Sequence, residues 1–204
     1  MVDRLFATPL YMGSLSPSEE ELVFLDTLEL VRNTSDNLSF SQDKNIFDLQ
    51  ELRNLKSQVD QHVKHFCLDD LGLSPYLDFQ CNGSWLNNFR PGDWAGSHYH
   101  SNSFVSGVLY LNTPEASGDI LFHNDIYRSN VFGSFFNPEF VKFTEFNGSF
   151  VSYSPSFGDI YLFPSSLPHS VEVNNSSDVR KSIAFDYMIC GRINAHTNSL
   201  LISK

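Results

Sequence analysis

Residues 98–111 read His98-Tyr99-His100-Ser101-Asn102-Ser103-Phe104-Val105-Ser106-Gly107-Val108-Leu109-Tyr110-Leu111: a His-x-His pair, a polar turn, then a run of apolar and small residues. Side-chain direction repeats every second residue on a strand, so His98 and His100 project to one face where a strand carries them. Both can then reach one ion. Downstream stand Pro168-His169 and Arg180-Lys181-Ser182, each embedded in alternating or continuously apolar sequence. A third imidazole from a remote strand completes three neighbouring positions around a divalent metal and leaves others open, the arrangement that oxygen-activating non-haem iron needs. Arg180 adds a planar fork suited to a carboxylate, so an acidic cosubstrate can be anchored beside the metal. Ser182 shares the strand face of Arg180 and can bond the same carboxylate. The layout is that of a metal site on a β-barrel.

Working outward, the first third of the chain reads as helical and the remainder as strand-rich. Phe6 to Met12 has the mixture of an edge strand. Ser16-Pro17-Ser18-Glu19 opens a helix, with a hydroxyl cap ahead of Pro and acids in the first turn, and Leu22, Phe24, Leu25, Leu28 and Leu30 form its apolar stripe. A second helix is predicted from about Asp48 to Cys67, where Leu49, Leu52, Leu55, Val59, Val63 and Phe66 recur at helical spacing. From Leu77 onward, short alternating runs separated by Gly, Pro, Asn and Ser give the pattern of an all-β sandwich or barrel. The stretch from His123 to Phe157 is the least regular, and is rich in Phe: Phe132, Phe135, Phe136, Phe140, Phe143 and Phe146. It either packs down on the core, which its apolar content favours, or forms a lid over a site.

Composition narrows the class of function. With 204 residues, 41% apolar and 14% aromatic, the chain can bury one sizeable core, which makes one domain the expected count. The formal charge of −11 argues against a broad nucleic-acid surface, since phosphate binding relies on clustered Lys and Arg. No apolar run approaches the roughly 20 residues of a membrane span, and no basic region precedes an apolar core at the N-terminus. Cys67, Cys81 and Cys190 are odd in number and widely spaced, which reads as reduced thiols of a cytoplasmic protein. The Asn-x-Ser/Thr sequons are then ordinary polar turns.

In these residues the chain resembles the iron(II)/2-oxoglutarate-dependent oxygenases, and among them a prolyl-hydroxylase-like group common in phages and bacteria. Besides the histidine and Arg180 segments, the resemblance is carried by Leu5-Phe6-Ala7-Thr8-Pro9-Leu10, Ser84-Trp85-Leu86-Asn87, Arg90-Pro91-Gly92-Asp93, Ser117-Gly118-Asp119-Ile120-Leu121-Phe122 and Gly158-Asp159-Ile160-Tyr161-Leu162-Phe163-Pro164-Ser165. It implies a mainly β fold, a double-stranded β-helix (jelly-roll, cupin-like barrel) with N-terminal helices. It implies one oxygenase domain over 1–204, about 1–76 being an N-terminal strand and supporting helices and about 77–192 the jelly-roll core. The implied cofactors are Fe(II) held by His98, His100 and His169, 2-oxoglutarate held by Arg180, Ser182 and Tyr110, and O2. Asn87 is a further candidate for the cosubstrate or for a bond inside the barrel. The implied reaction is hydroxylation of a substrate, a protein side chain or a small molecule, that the sequence does not identify.

One departure from the family pattern stands out. Most relatives carry His-x-Asp or His-x-Glu, whereas no acid lies two places after His98 or His100. The third metal position therefore falls to His100, or, in a register starting at His100, to Asn102 or water. A metal-binding jelly-roll module without oxygenase activity, or another cupin-type or zinc-dependent enzyme, is the alternative reading, because barrels of this kind host many chemistries and zinc accepts three His ligands.

Overall fold

A computed structural model describes residues 7–33, 37–124, 139–144, 146–194 and 197–203. Among them run twelve strands: β1 (Tyr11–Ser14), β2 (Leu30–Asn33), β3 (Leu38–Ser41), β4 (Asp78–Phe89), β5 (Ala95–His98), β6 (Val105–Asn112), β7 (Ile120–His123), β8 (Phe150–Tyr153), β9 (Asp159–Pro164), β10 (His169–Val171), β11 (Arg180–Ile193) and β12 (Leu200–Ile202). The described residues also form two α-helices, α1 (Glu19–Leu25) and α2 (Arg53–His65).

Strand β11 sets the architecture. Its odd-numbered residues Ile183, Phe185, Tyr187 and Ile189 belong to a core shared with α2, while Arg180, Ser182, Ala184 and Asp186 line a cavity on the opposite face. The same alternation divides β6 (Val105 and Leu109 against Val108 and Tyr110) and β9 (Ile160 and Leu162 against Tyr161 and Phe163). These strands lie in a large antiparallel sheet ordered β1-β9-β6-β11-β4-β3-β2, with β12 added to the far end of β11. Facing it is a smaller sheet, β5-β10-β7-β8. The large sheet thus carries the helices on one side. On the other it meets the small sheet through Val108, Tyr110, Ile120, Phe122, Tyr161 and Phe163. Two packed antiparallel sheets are the jelly-roll arrangement that the sequence led us to expect.

A bulge lies in the middle of the large sheet. On β4, Gly83 opposes Asp186 and Cys81 opposes Tyr187, so Asn82 is the extra residue. The insertion reverses the parity of β4, which is why Leu86 and Phe79 both face the helices. Gly107 sits where β6 is crossed by its neighbours: a Cβ there would lie 2.2 Å from the Phe185 ring and 2.6 Å from Leu162.

Several sequence expectations shift. The first third also holds the β2–β3 hairpin, so Leu30 belongs to a strand and α1 ends at Leu25. Helical periodicity alone does not distinguish one long stripe from a short helix, a turn and a strand. The cap of α1 is Ser18, with Glu21 closing a capping box; the other oxygen of Glu21 accepts the backbone N–H of Leu55 in the first turn of α2. The second helix is shorter than expected: two 3-10 turns, Ile46–Asp48 and Gln50–Leu52, precede α2, and a π turn, Phe66–Asp70, follows it. The edge strand begins at Tyr11, while Leu5 and Phe6 lie outside the described residues. Phe132, Phe135 and Phe136 also lie outside them. Phe140, Phe143 and Phe146, in the connection between β7 and β8, are exposed and do not pack on the core. The three cysteines are free thiols, and burial pushes that of Cys67 up to about 12 and that of Cys81 up to about 11. No described helix is long and apolar enough to cross a membrane.

Candidate metal centre

Strands β5 and β10 pair with His98 directly opposite His169, which brings the two rings to 4.4 Å between centroids. His100 lies just beyond the end of β5, not in it as the alternation suggested. The chain is held there by the bond from the His100 backbone N–H to the Ser165 carbonyl, 2.9 Å. Its ring stacks on His98 at 5.4 Å and on Trp85 at 5.9 Å, and lies 5.4 Å from His169. One ring nitrogen from each histidine falls within 4.8 Å of the others.

Each histidine has its Nδ1 engaged by an acceptor. His98 Nδ1 meets the Gly96 carbonyl at 2.8 Å, His169 Nδ1 the Leu167 carbonyl at 2.9 Å, and His100 Nδ1 both carboxylate oxygens of Asp186 at 2.6 and 2.7 Å. Carbonyl and carboxylate oxygens only accept, so the protons belong on Nδ1 and the Nε2 lone pairs are left for a cation. Burial drives the His169 pKa down to about 3, helped by His98 and opposed by the Leu167 carbonyl, which leaves this ring neutral at neutral pH as ligation requires. Asn102 is exposed in the turn that follows.

A cavity of about 790 Å³ runs from these rings between the sheets. At its inner end Arg180 is 1% exposed, and its Nε and Nη1 have no hydrogen-bond partner among the described residues. Tyr110, 0% exposed, likewise has a hydroxyl without a hydrogen-bond partner among the described residues, and the Arg180 guanidinium lies 5.3 Å from its ring. Burial raises the Tyr110 phenol well above its ordinary pKa, more than Arg180 lowers it, so the hydroxyl stays protonated. Asn87, Ser182 and Tyr110 are direct cross-strand neighbours on β4, β11 and β6, one pleat from Arg180, and all line the cavity. Among the described residues no carboxylate pairs with Arg180. A buried cation in that condition costs several kcal/mol unless an anion joins it.

Residues 83–186, half of the chain, match the family described as "Putative 2OG-Fe(II) oxygenase". The chain belongs to the 2OG-Fe(II) oxygenases. The fold is shared with solved members and relatives. A 2OG-Fe(II) oxygenase family oxidoreductase from Burkholderia pseudomallei superposes with a TM-score of 0.58 at 12% identity, over 82% of this chain and 75% of that one. A prolyl-4-hydroxylase from Pseudomonas putida gives 0.58 at 16% identity, over 89% and 92%. A prolyl hydroxylase from Trichoplax adhaerens, solved with a hypoxia inducible factor peptide, gives 0.57 at 14%, over 88% and 83%. No curated protein matches the chain.

Membership of this 2OG-Fe(II) oxygenase family implies Fe(II) and 2-oxoglutarate, and the residues present fit both. Three imidazoles with free Nε2 atoms are a donor set for a divalent first-row metal. Unpartnered Arg and Tyr donors at a cavity end suit a carboxylate.

Asp186 belongs to none of the motifs in the sequence that point to the metal or the cosubstrate. Its position was readable from parity, because Arg180, Ser182, Ala184 and Asp186 alternate along β11 and all line the cavity. Its partner His100 lies 86 residues away, and no local pattern announces that contact.

Proposed function

We propose that this oxygenase is a hydroxylase whose Fe(II) is held by His98, His100 and His169, and whose 2-oxoglutarate is held through its distal carboxylate by Arg180, Ser182 and Tyr110. The same reading treats residues 1–204 as one oxygenase domain. The observation that carries it is the pair of buried donors without a hydrogen-bond partner among the described residues, Nε and Nη1 of Arg180 and the Tyr110 hydroxyl, in the cavity that the three histidines line.

When bound, the iron supplies the oxidation of 2-oxoglutarate and of an unactivated C–H bond by dioxygen. The chain's part is to hold and orient. Arg180 meets a carboxylate as a two-pronged, charge-assisted donor, and Tyr110, protonated, donates a further hydrogen bond. Ser182, between Asn87 and Tyr110 in the sheet, offers a third. The carbonyls of Gly96 and Leu167 fix two imidazoles in the ligating tautomer. The cavity walls of Val108, Ile120 and Phe163 exclude water from the cosubstrate end.

The test is turnover. Supplied with Fe(II), ascorbate and oxygen, wild-type protein is expected to convert 2-oxoglutarate to succinate and carbon dioxide slowly without substrate, and faster with a true one. The two prolyl hydroxylases among the solved relatives make a panel of proline-containing peptides the first to try. Absence of succinate from iron-loaded protein would promote the reading of a metal-binding barrel in its place.

A further inference from the structure

The three histidines are not equivalent. His98 and His169 rest their Nδ1 on backbone carbonyls, which are neutral dipoles, whereas His100 rests its Nδ1 on a full negative charge. Asp186 is 8% exposed, and among the described residues no Lys or Arg pairs with it. Its remaining contact is the Ser106 hydroxyl, 2.6 Å from Oδ1. That hydroxyl also lies 2.9 Å from Ser165 Oγ. Having one proton, Ser106 donates to the carboxylate and accepts from Ser165. Ser165 in turn accepts the His100 backbone N–H through its own carbonyl. The hydrogen-bonded pair Ser106–Ser165 therefore holds Asp186 at one end and the His100 backbone at the other.

None of the three clustered ligand candidates is a carboxylate, so a divalent ion among them would meet only neutral donors. We propose that Asp186 supplies, through the His100 ring, the negative charge and fixed orientation that a directly ligating carboxylate would give the metal. Rather than touching the ion, it is a positioning residue. A carboxylate behind an imidazole locks the tautomer and raises the basicity of the ligating nitrogen. The pleat of β11 places it on the same face as Arg180, so one strand carries both the cation for the cosubstrate and the counter-charge of the metal. The bulge at Asn82 falls directly opposite this point, as bulges do where a strand re-aims a side chain beside a site. The inference rests on the proposed ligand set.

The test is an anaerobic calorimetric titration of the full chain with Fe(II) alone. Asp186→Asn keeps an acceptor for the His100 N–H but removes the charge, and is expected to weaken Fe(II) binding 10- to 100-fold. Adding Asp186→Asn to His100→Ala is expected to weaken binding no further, since the charge acts through that ring. In 15N-histidine-labelled protein loaded with Zn(II), Asp186→Asn should move the His100 Nδ1–H resonance upfield and leave those of His98 and His169 in place. Ser106→Ala, which leaves His100 as the one side-chain partner of Asp186 among the described residues, should move it downfield, and serves if Asp186→Asn does not fold. Wild-type Fe(II) affinity in Asp186→Asn, an undiminished loss in the His100→Ala background, or an unmoved His100 resonance overturns the inference. Failure of the wild type to bind Fe(II) overturns the ligand set itself.

Discussion

At the scale of single residues, the candidate centre depends on three rings whose second nitrogens are already committed. Removing any of them takes away a third of the donor set and leaves a polar hole. His98→Ala and His169→Ala are expected to abolish Fe(II) binding measurable by calorimetry while circular dichroism stays unchanged, and His100→Ala to leave a two-imidazole site of far lower affinity. Asn102→Ala should weaken iron little, because Asn102 is exposed in the following turn. A mild His98→Ala with a severe Asn102→Ala would instead assign the register that starts at His100. Much of this centre is legible in the sequence: His-x-His, the distant His169 and Arg180 lie along one cavity. What is not legible is contact between remote elements. The polar run from Tyr99 to Ser103 gives no sign of where β5 stops, and Asp186 resembles any strand acid until the fold sets it against His100.

At the scale of elements, the β2–β3 hairpin is attached to the turn before β5 by a two-pronged pair, Arg32 to Asp93 at 2.6 and 2.7 Å, with the Arg90 backbone N–H also donating to Asp93. Burial alone would raise the Asp93 pKa, but these donors together hold it below its ordinary value of 3.8. A depressed carboxylate contributes stability above its unfolded pKa, and this is lost as pH falls through the lower folded value. Asp93→Asn is therefore expected to lower stability by about 1–3 kcal/mol near neutrality. In thermal melts the gap from wild type should narrow below about pH 4; a gap that stays constant into acid would remove the pair as its cause. Gly107 tests the sheet itself. Gly107→Val forces side-chain atoms into the Phe185 ring and Leu162, an overpacking expected to cost about 1–3 kcal/mol, read as a lower denaturant midpoint. The hairpin is also where sequence reading fell short: Leu28 and Leu30 continue the helical spacing of Leu22 and Leu25, and only pairing with β3 turns Leu30 into a strand residue. The long strands fared better, since β6 alternates between two cores and β11 between a core and the cavity.

At the scale of the molecule, a chain of net charge −11 keeps a buried arginine, with no carboxylate partner among the described residues, at the inner end of the cavity that the histidines line. The two sheets meet around that cavity: His98 and His169 come from the small sheet, Arg180, Ser182, Tyr110 and Asp186 from the large one. Metal and cosubstrate together would bridge the sheets, and binding to the native state alone raises stability by about 2.7 kcal/mol at a hundredfold excess over the dissociation constant. The most direct measurement is the anaerobic calorimetric titration of 2-oxoglutarate into Fe(II)-loaded wild type and Arg180→Met. Removing one side of a buried charge pair costs about 2–5 kcal/mol, which corresponds to roughly thirtyfold or more in affinity. One 2-oxoglutarate should bind per chain of wild type, and Arg180→Met should bind it at least tenfold more weakly with Fe(II) affinity intact. An iron-loaded wild type with no affinity for 2-oxoglutarate, or an Arg180→Met that binds it equally well, would contradict the assignment.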